Sequence, residues 1–188
     1  MKRNISLIAS LVLLVVGIAL MFAGNFAHGY VTSQLNQERI KMPVAEATAN
    51  LPQASQDALK PYLGTDLDTG PKAQVYANNY IWEHMMASSQ GKTYTEVSGA
   101  FMKASKDPSS DKAEVSKLGE LRQTLFMGDS LRSILLTAYA FWLMGSIATW
   151  IGWAALALAS VVAAFTFLRR PTSSTVRTPS TLGTPTHA

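Results

Sequence analysis

The chain contains no cysteine, which removes disulfide staples, thiolate nucleophiles, iron–sulfur clusters and cysteine-type zinc sites. Any part exposed to an oxidising compartment therefore holds together by packing alone. Histidine is scarce: His28, His84 and His187 fall in three separate segments. None has another His or a carboxylate three or four residues away, the spacing that a metal site built on one helix needs. Glu83 is adjacent to His84 and so points elsewhere. His84 shares a face with Tyr80 and Ile81 and reads as a hydrogen-bonded core histidine, and His28 as an interfacial one. There is no G-x-S-x-G, no phosphate-cradling glycine loop and no paired-carboxylate signature. Asp66 and Asp68 in "GTDLDTG" begin like a calcium loop, but no Glu follows at the required spacing. A serine–lysine dyad stays open, with nothing favouring it. The sequence therefore nominates no catalytic residue, no metal ligand and no cofactor-binding residue.

Acidic residues are missing from both ends. All 12 lie between Glu38 and Asp129, together with ten Lys or Arg from Arg39 to Arg122, a net of −2 for that stretch. Five basic residues, Lys2, Arg3, Arg169, Arg170 and Arg177, sit on short flanks with no acid among them. The overall charge of +4 and pI near 9.4 thus record a distribution rather than a nucleic-acid partner. Short basic flanks stay cytoplasmic, whereas a loop of about 100 residues crosses a membrane regardless of its charge. Both termini are expected inside and the middle outside.

What the chain has in quantity is long apolar runs. Ile5–Ala27 is uncharged over 23 residues. A cleaved signal peptide is the competing reading, but its apolar region spans only about 7–15 residues; an uncleaved anchor fits the length better. Ser133–Leu168 is uncharged over 36 residues, too long for one crossing of about 20 residues and short for two with a turn. A two-span hairpin inside it would place Arg169 and Arg170 outside, against the charge rule. One span from about Trp150 to Leu168 is preferred, with Trp150 and Trp153 at the interface. Even at 40° of tilt, 36 helical residues project about 41 Å against a core of about 30 Å. The surplus, Leu131 to Ile147, is expected to emerge as an apolar helix offering Leu131, Ile134, Leu135, Leu136, Tyr139, Phe141, Trp142 and Leu143 as an interaction surface. Its own outer segments cover part of that surface, and a protein partner covers the rest. The alternative is a bend at Gly145-Ser146 that lays the segment in the headgroup layer, with Arg132 snorkelling.

Along the rest of the chain the pattern is helical, without a convincing strand. The first span continues outward as a stalk until Met42-Pro43. Residues 43–72 read mostly as loop, with a short helix at Gln53–Leu59. A helix opens at Pro71 and stops at Gly91; "TYTE" at Thr93–Glu96 has capping-box spacing; and a last helix begins near Lys112 and runs on into the membrane. Alanines at four-residue steps, Ala19, Ala23 and Ala27 in the first span and Ala155, Ala159 and Ala163 in the second, are candidate helix-packing positions. The fold class is an all-α membrane protein with two transmembrane helices flanking a mostly helical extracytoplasmic domain. Its divisions are a cytoplasmic N terminus (1–4), the first transmembrane helix (5–27), the extracytoplasmic domain (28–130), the apolar extension (131–149) and the second transmembrane helix (150–168). A disordered Thr/Ser/Pro-rich cytoplasmic tail (169–188) follows, in which Thr178-Pro179 and Thr184-Pro185 suit phosphorylation; a solvated tail without a role is the competing reading.

The segments "GYVTSQLNQERIKMP", "YIWEHM…GKTYTEVS" and "LRQTLFMGDSLRSILLTAYAFW" give the chain, over roughly Ile5 to Leu168, a likeness to a known group. It resembles an actinobacterial family of two-span membrane proteins often labelled aromatic ring-opening dioxygenase subunits. The label implies a soluble non-haem iron enzyme, which the two-span layout and scattered histidines argue against. The resemblance implies topology, lineage and an envelope location rather than an activity.

The resulting expectation is a non-enzymatic accessory or scaffold subunit of the cell membrane. It would contact lipid and dock onto a larger membrane assembly or another copy of itself, with no nucleic acid and no cofactor. The alternative is a sensor binding a ligand among Tyr76, Tyr80, His84 and Tyr94 and signalling through a partner. An envelope hydrolase is a third possibility.

Overall fold

The computed structural model describes residues 2–168; the expectations for residues 169–188, including Arg169, Arg170, His187 and the two Thr-Pro pairs, lie outside the described residues. Every regular element among the described residues is helical. Two long helices frame the molecule. α1 (Lys2–Glu38) has 37 residues, about 55 Å, and α7 (Lys112–Leu168) has 57, about 85 Å. Both are long and apolar enough to cross a membrane, and only 11% of each one's apolar window is buried within the protein. The core helix of a soluble domain would be mostly covered.

α1 and α7 run antiparallel along the whole of α1, the most extensive contact in the fold. The chain between them supplies five shorter helices, α2 (Ala45–Thr48), α3 (Gln53–Leu59), α4 (Gly70–Tyr76), α5 (Trp82–Ser89) and α6 (Tyr94–Lys106). These wrap the end of the hairpin distal from the chain termini. Their core of Met42, Leu59, Leu67, Ala73, Ala77, Ile81, Met85 and Val97 is continuous with Val31 and Leu35 of α1 and Leu125 and Leu135 of α7. The middle unit therefore shares one core with the two long helices on which it is packed.

Local chemistry explains the boundaries. α1 stops at Glu38, four residues before the expected Met42-Pro43, because Arg39 adopts the left-handed conformation (φ 51°). The following residues turn extended. Met42 N–H donates to Thr65 O and Leu67 N–H to Ile40 O, forming a single antiparallel bridge at Lys41 and Asp66, whose side chains also pair. α4 opens with proline in its first turn, where the missing N–H costs nothing. It runs into α5 through a π-helical turn at Ala77–Ile81. α5 ends where Gln90 and Gly91 both take positive φ and Gly91 N–H donates to Met86 O, a Schellman closure. α6 begins on a complete capping box: Thr93 N–H donates to Glu96 Oε2 at 2.7 Å, and Glu96 N–H donates back to the Thr93 hydroxyl. α7 is unbroken through Gly145-Ser146. That corrects the bend considered at this point: both residues are occupied in packing against α1 and give the chain no freedom to turn.

Candidate functional site

α7 presents two different faces, and their contrast defines the candidate site. The inner face is a seam of glycines. A Cβ placed on Gly17 would stand 3.0 Å from Gly152 O, and one on Gly145 would stand 3.0 Å from Gly24 O. Ser10 Oγ donates to Ala159 O at 2.9 Å, and His28 packs on Trp142. Each advance of seven residues along α1 is matched by a retreat of seven along α7: Ser10, Gly17 and Gly24 face Ala159, Gly152 and Gly145. Backbones approach this closely only where side chains are absent, the small-residue mode of helix association in lipid.

The alanine stripes are placed differently from expectation. Ala159 is buried and Ala27, Ala155 and Ala163 are half-buried, but Ala19 and Ala23 are exposed and lie off the seam. The contact runs through the glycines instead. The signal was available as two seven-residue glycine steps, Gly17 to Gly24 and Gly145 to Gly152, which reading by fours passes over.

Above the seam, the stretch expected as an interaction surface divides in two. Leu135 is buried (1% exposed), and Leu136 and Trp142 pack against the core. Gly70 of α4 is pressed on the Trp142 side chain so closely that a Cβ there would overlap it. Tyr139 is half-buried. These residues are covered by the chain itself. Leu131, Ile134, Phe141 and Leu143 remain exposed. Met127, Ile134 and Phe141, at seven-residue steps, are 55%, 66% and 54% exposed. They form a ridge on the side of α7 opposite the buried Leu125; Phe141 stands one turn before Gly145, which is buried against α1. Sequence reasoning missed Met127 because it treated the surface as beginning after Asp129.

The ridge is held from behind. Arg132 turns inward rather than snorkelling: it donates to Asn78 Oδ1 at 3.1 Å, and its guanidinium sits 4.6 Å over the Trp82 ring. The π-helical turn is what presents Asn78. Its neighbour Asn79 donates to Val75 O, and the buried Ser55 hydroxyl, 3.4 Å from Asn79 Oδ1, donates to Glu83 Oε1 at 2.8 Å. Ten residues along α7, the Arg122 guanidinium lies 5.3 Å over Phe101 of α6. Two arginines thus hold the π-helical turn, α5 and α6 against α7.

The residues proposed for a ligand do not form one cluster. Tyr76, Tyr80 and His84 stack in sequence along α4 and α5, with centroid separations of 5.1 and 4.4 Å. Tyr94 instead contacts Phe126 and Arg122. His84 is exposed and bonds Tyr80 O through Nδ1 at 2.8 Å, so it is a surface residue and not a core one. Burial, then the neighbouring Tyr80, pushes the Tyr76 phenol above its ordinary range. Bonds from the Thr93 backbone and side chain hold the Glu96 carboxyl below its ordinary range. His28 is half-buried, its Nε2 3.0 Å from both Trp142 O and Ser146 Oγ. Among the described residues no group of three His, Asp or Glu side chains is placed to hold a metal ion.

Comparison with family models, curated proteins and solved structures returns no match. The functional reading rests on the geometry.

Proposed function

We propose that this protein is a two-span membrane protein with both ends cytoplasmic and residues between the spans outside. It acts as a non-enzymatic accessory subunit that docks the α7 ridge onto a helix of a larger envelope assembly. The basic flanks and the bare apolar windows of α1 and α7 support the membrane placement. The seam adds a restriction. Ala27 lies level with Trp142, not Trp150, so one flat boundary cannot pass through both expected edges. Counting about 20 residues from Asn4 and back from Leu168 brings the outer hydrocarbon edge to about residues 20–24 of α1 and 145–149 of α7. Met127, Leu131 and Ile134 then stand roughly 15–30 Å beyond it, outside the reach of lipid.

The observation that carries the proposal is the bare Met127–Ile134–Phe141 ridge on a helix whose other side holds Leu125 and Leu135 in the core. Three such side chains contribute about 1.5–3 kcal/mol each when covered, and a rigid backing means little ordering cost on docking. The test is mild-detergent purification of the full chain and of Ile134→Asp and Phe141→Asp variants. Wild type should carry stoichiometric protein partners, both variants should lose them, and integration and helicity should be unchanged. Wild type purified as a lone monomer, or variants that keep their partners, would refute the proposal.

A further inference from the structure

Beside the bare ridge of α7 lies a trough, and the two share one repeat. Met127, Ile134 and Phe141 form the ridge. Three residues after the first two stand Ser130 and Thr137, and one residue before the last two stand Ser133 and Ala140. Ser133, Thr137 and Ala140 are exposed and Ser130 is half-buried. Large side chains thus alternate with small ones at steps of three and four, the spacing of a seam that winds left-handed on a second helix. No charge interrupts it: Asp129 and Arg132 are the charged residues of α7 between Phe126 and Leu158. Arg132 turns inward to Asn78, and Asp129 lies about 160° round the helix from Met127. Two hydroxyls of the trough are already used. Ser130 donates to Phe126 O at 2.7 Å and Thr137 to Ser133 O at 2.8 Å, so covering them strands no donor.

The face does not stop at the hydrocarbon edge. The series Ser130, Thr137 continues at sevens through Met144, Ile151 and Leu158, all three exposed. Its occupant is therefore a helix that crosses the membrane and projects beyond it, where lipid does not reach on the placement proposed above. Shape says which helix. In a parallel, in-register pair, each large side chain enters a hole formed by four residues of the facing helix. Opposite Ile134 those four are Ser130, Ser133, Ile134 and Thr137 of the other copy. Opposite Phe141 they are Thr137, Ala140, Phe141 and Met144. The small side chains stand where the large ones must enter. Two copies with one topology also stand at one height, so uncharged surface meets uncharged surface above the membrane. A foreign helix has to supply ridge, trough and height separately. Resting on the docking function proposed above, we propose that the helix met by the ridge is α7 of a second copy, related by a two-fold axis along the membrane normal.

Because the chain has no cysteine, single cysteines report on the full protein in native membranes. Copper-catalysed oxidation should link Ile134→Cys, Thr137→Cys and Phe141→Cys chains into dimers. Leu143→Cys, exposed near the height of Phe141 but about 160° round the helix from it, should stay unlinked. Two differently tagged wild-type chains, co-expressed and solubilised in mild detergent, should copurify. Ser133→Trp fills the trough while keeping the face uncharged, and should abolish both the copurification and the Ile134→Cys link. Helicity and protease resistance of the middle unit should be unchanged in that variant, since Ser133 is exposed. Linking of Leu143→Cys as readily as Ile134→Cys, or copurification surviving Ser133→Trp, overturns the pairing. One copy carrying a different protein overturns the pairing and leaves the docking function intact. A lone monomer, with or without bound lipid, overturns both.

Discussion

Replacing Gly24 by alanine tests the seam most directly. The added Cβ would lie 2.5 Å from Gly145 O and closer still to the Thr149 hydroxyl, where ordinary contact begins at 3.4 Å. The shortfall of about 0.9 Å is against backbone, which cannot rotate away as a side-chain tip can. α1 and α7 must part locally by about that distance, which also lengthens the contact at Gly17 and Gly152 one repeat further on. Overpacking of this kind costs about 1–3 kcal/mol, offset by up to about 1 kcal/mol from alanine's higher helix propensity. Gly29→Ala is the matched control, since nothing lies within 4 Å of its added Cβ; it should be neutral or stabilising. Thermal unfolding in detergent, followed by far-UV circular dichroism and by resistance of the middle unit to protease, should rank Gly29→Ala above wild type or level with it, and Gly24→Ala below both. Adding Gly145→Ala should cost less than the sum of the two single changes, because both clash across the same gap. If Gly24→Ala is as stable as Gly29→Ala, the close antiparallel crossing is not present in the protein.

Three further outcomes follow from the same geometry. Gly70→Ala meets the Trp142 side chain at its root and should loosen the middle unit by about 1–3 kcal/mol, whereas Gly128→Ala meets only the flexible Met85 thioether and should cost less; limited proteolysis between α3 and α6 reads the difference. Arg132→Met removes the bond to Asn78 and the stacking on Trp82, and should cost about 1–3 kcal/mol. Arg132→Lys should recover only part of it, since an ammonium lacks the planar fork; hydrogen exchange across Ala77–Ile81 is the measurement. The capping box predicts a pH dependence for α6. Because the Glu96 carboxyl is held below its ordinary range, its contribution is full above about pH 4.3 and is lost as pH falls through the folded value. Hydrogen exchange at Tyr94–Val97 should therefore accelerate in acid; Thr93→Ala, which keeps the larger backbone bond, should weaken that dependence in part, and Glu96→Gln should remove it.

Composition and periodicity alone determined that the chain is helical, that two apolar segments flank a charged middle, and that one helix runs from Lys112 into the second segment. These are one-dimensional properties, set by runs of side chains and by caps such as Thr93 and Glu96 that act within a few residues. The side of each long helix that meets the other is not such a property. Ala19 and Ala23 looked as suitable as Gly17 and Gly24 because all four are small, and only the antiparallel register, fixed by backbone approach at two glycine crossings, separates them. The same register divided the apolar extension into a half covered by α1 and α4 and a half left bare. It also turned Arg132 inward to a π-helical turn that no local pattern announces. Burial is a relation between segments distant in the chain, so it became definite only when the two long helices were set side by side.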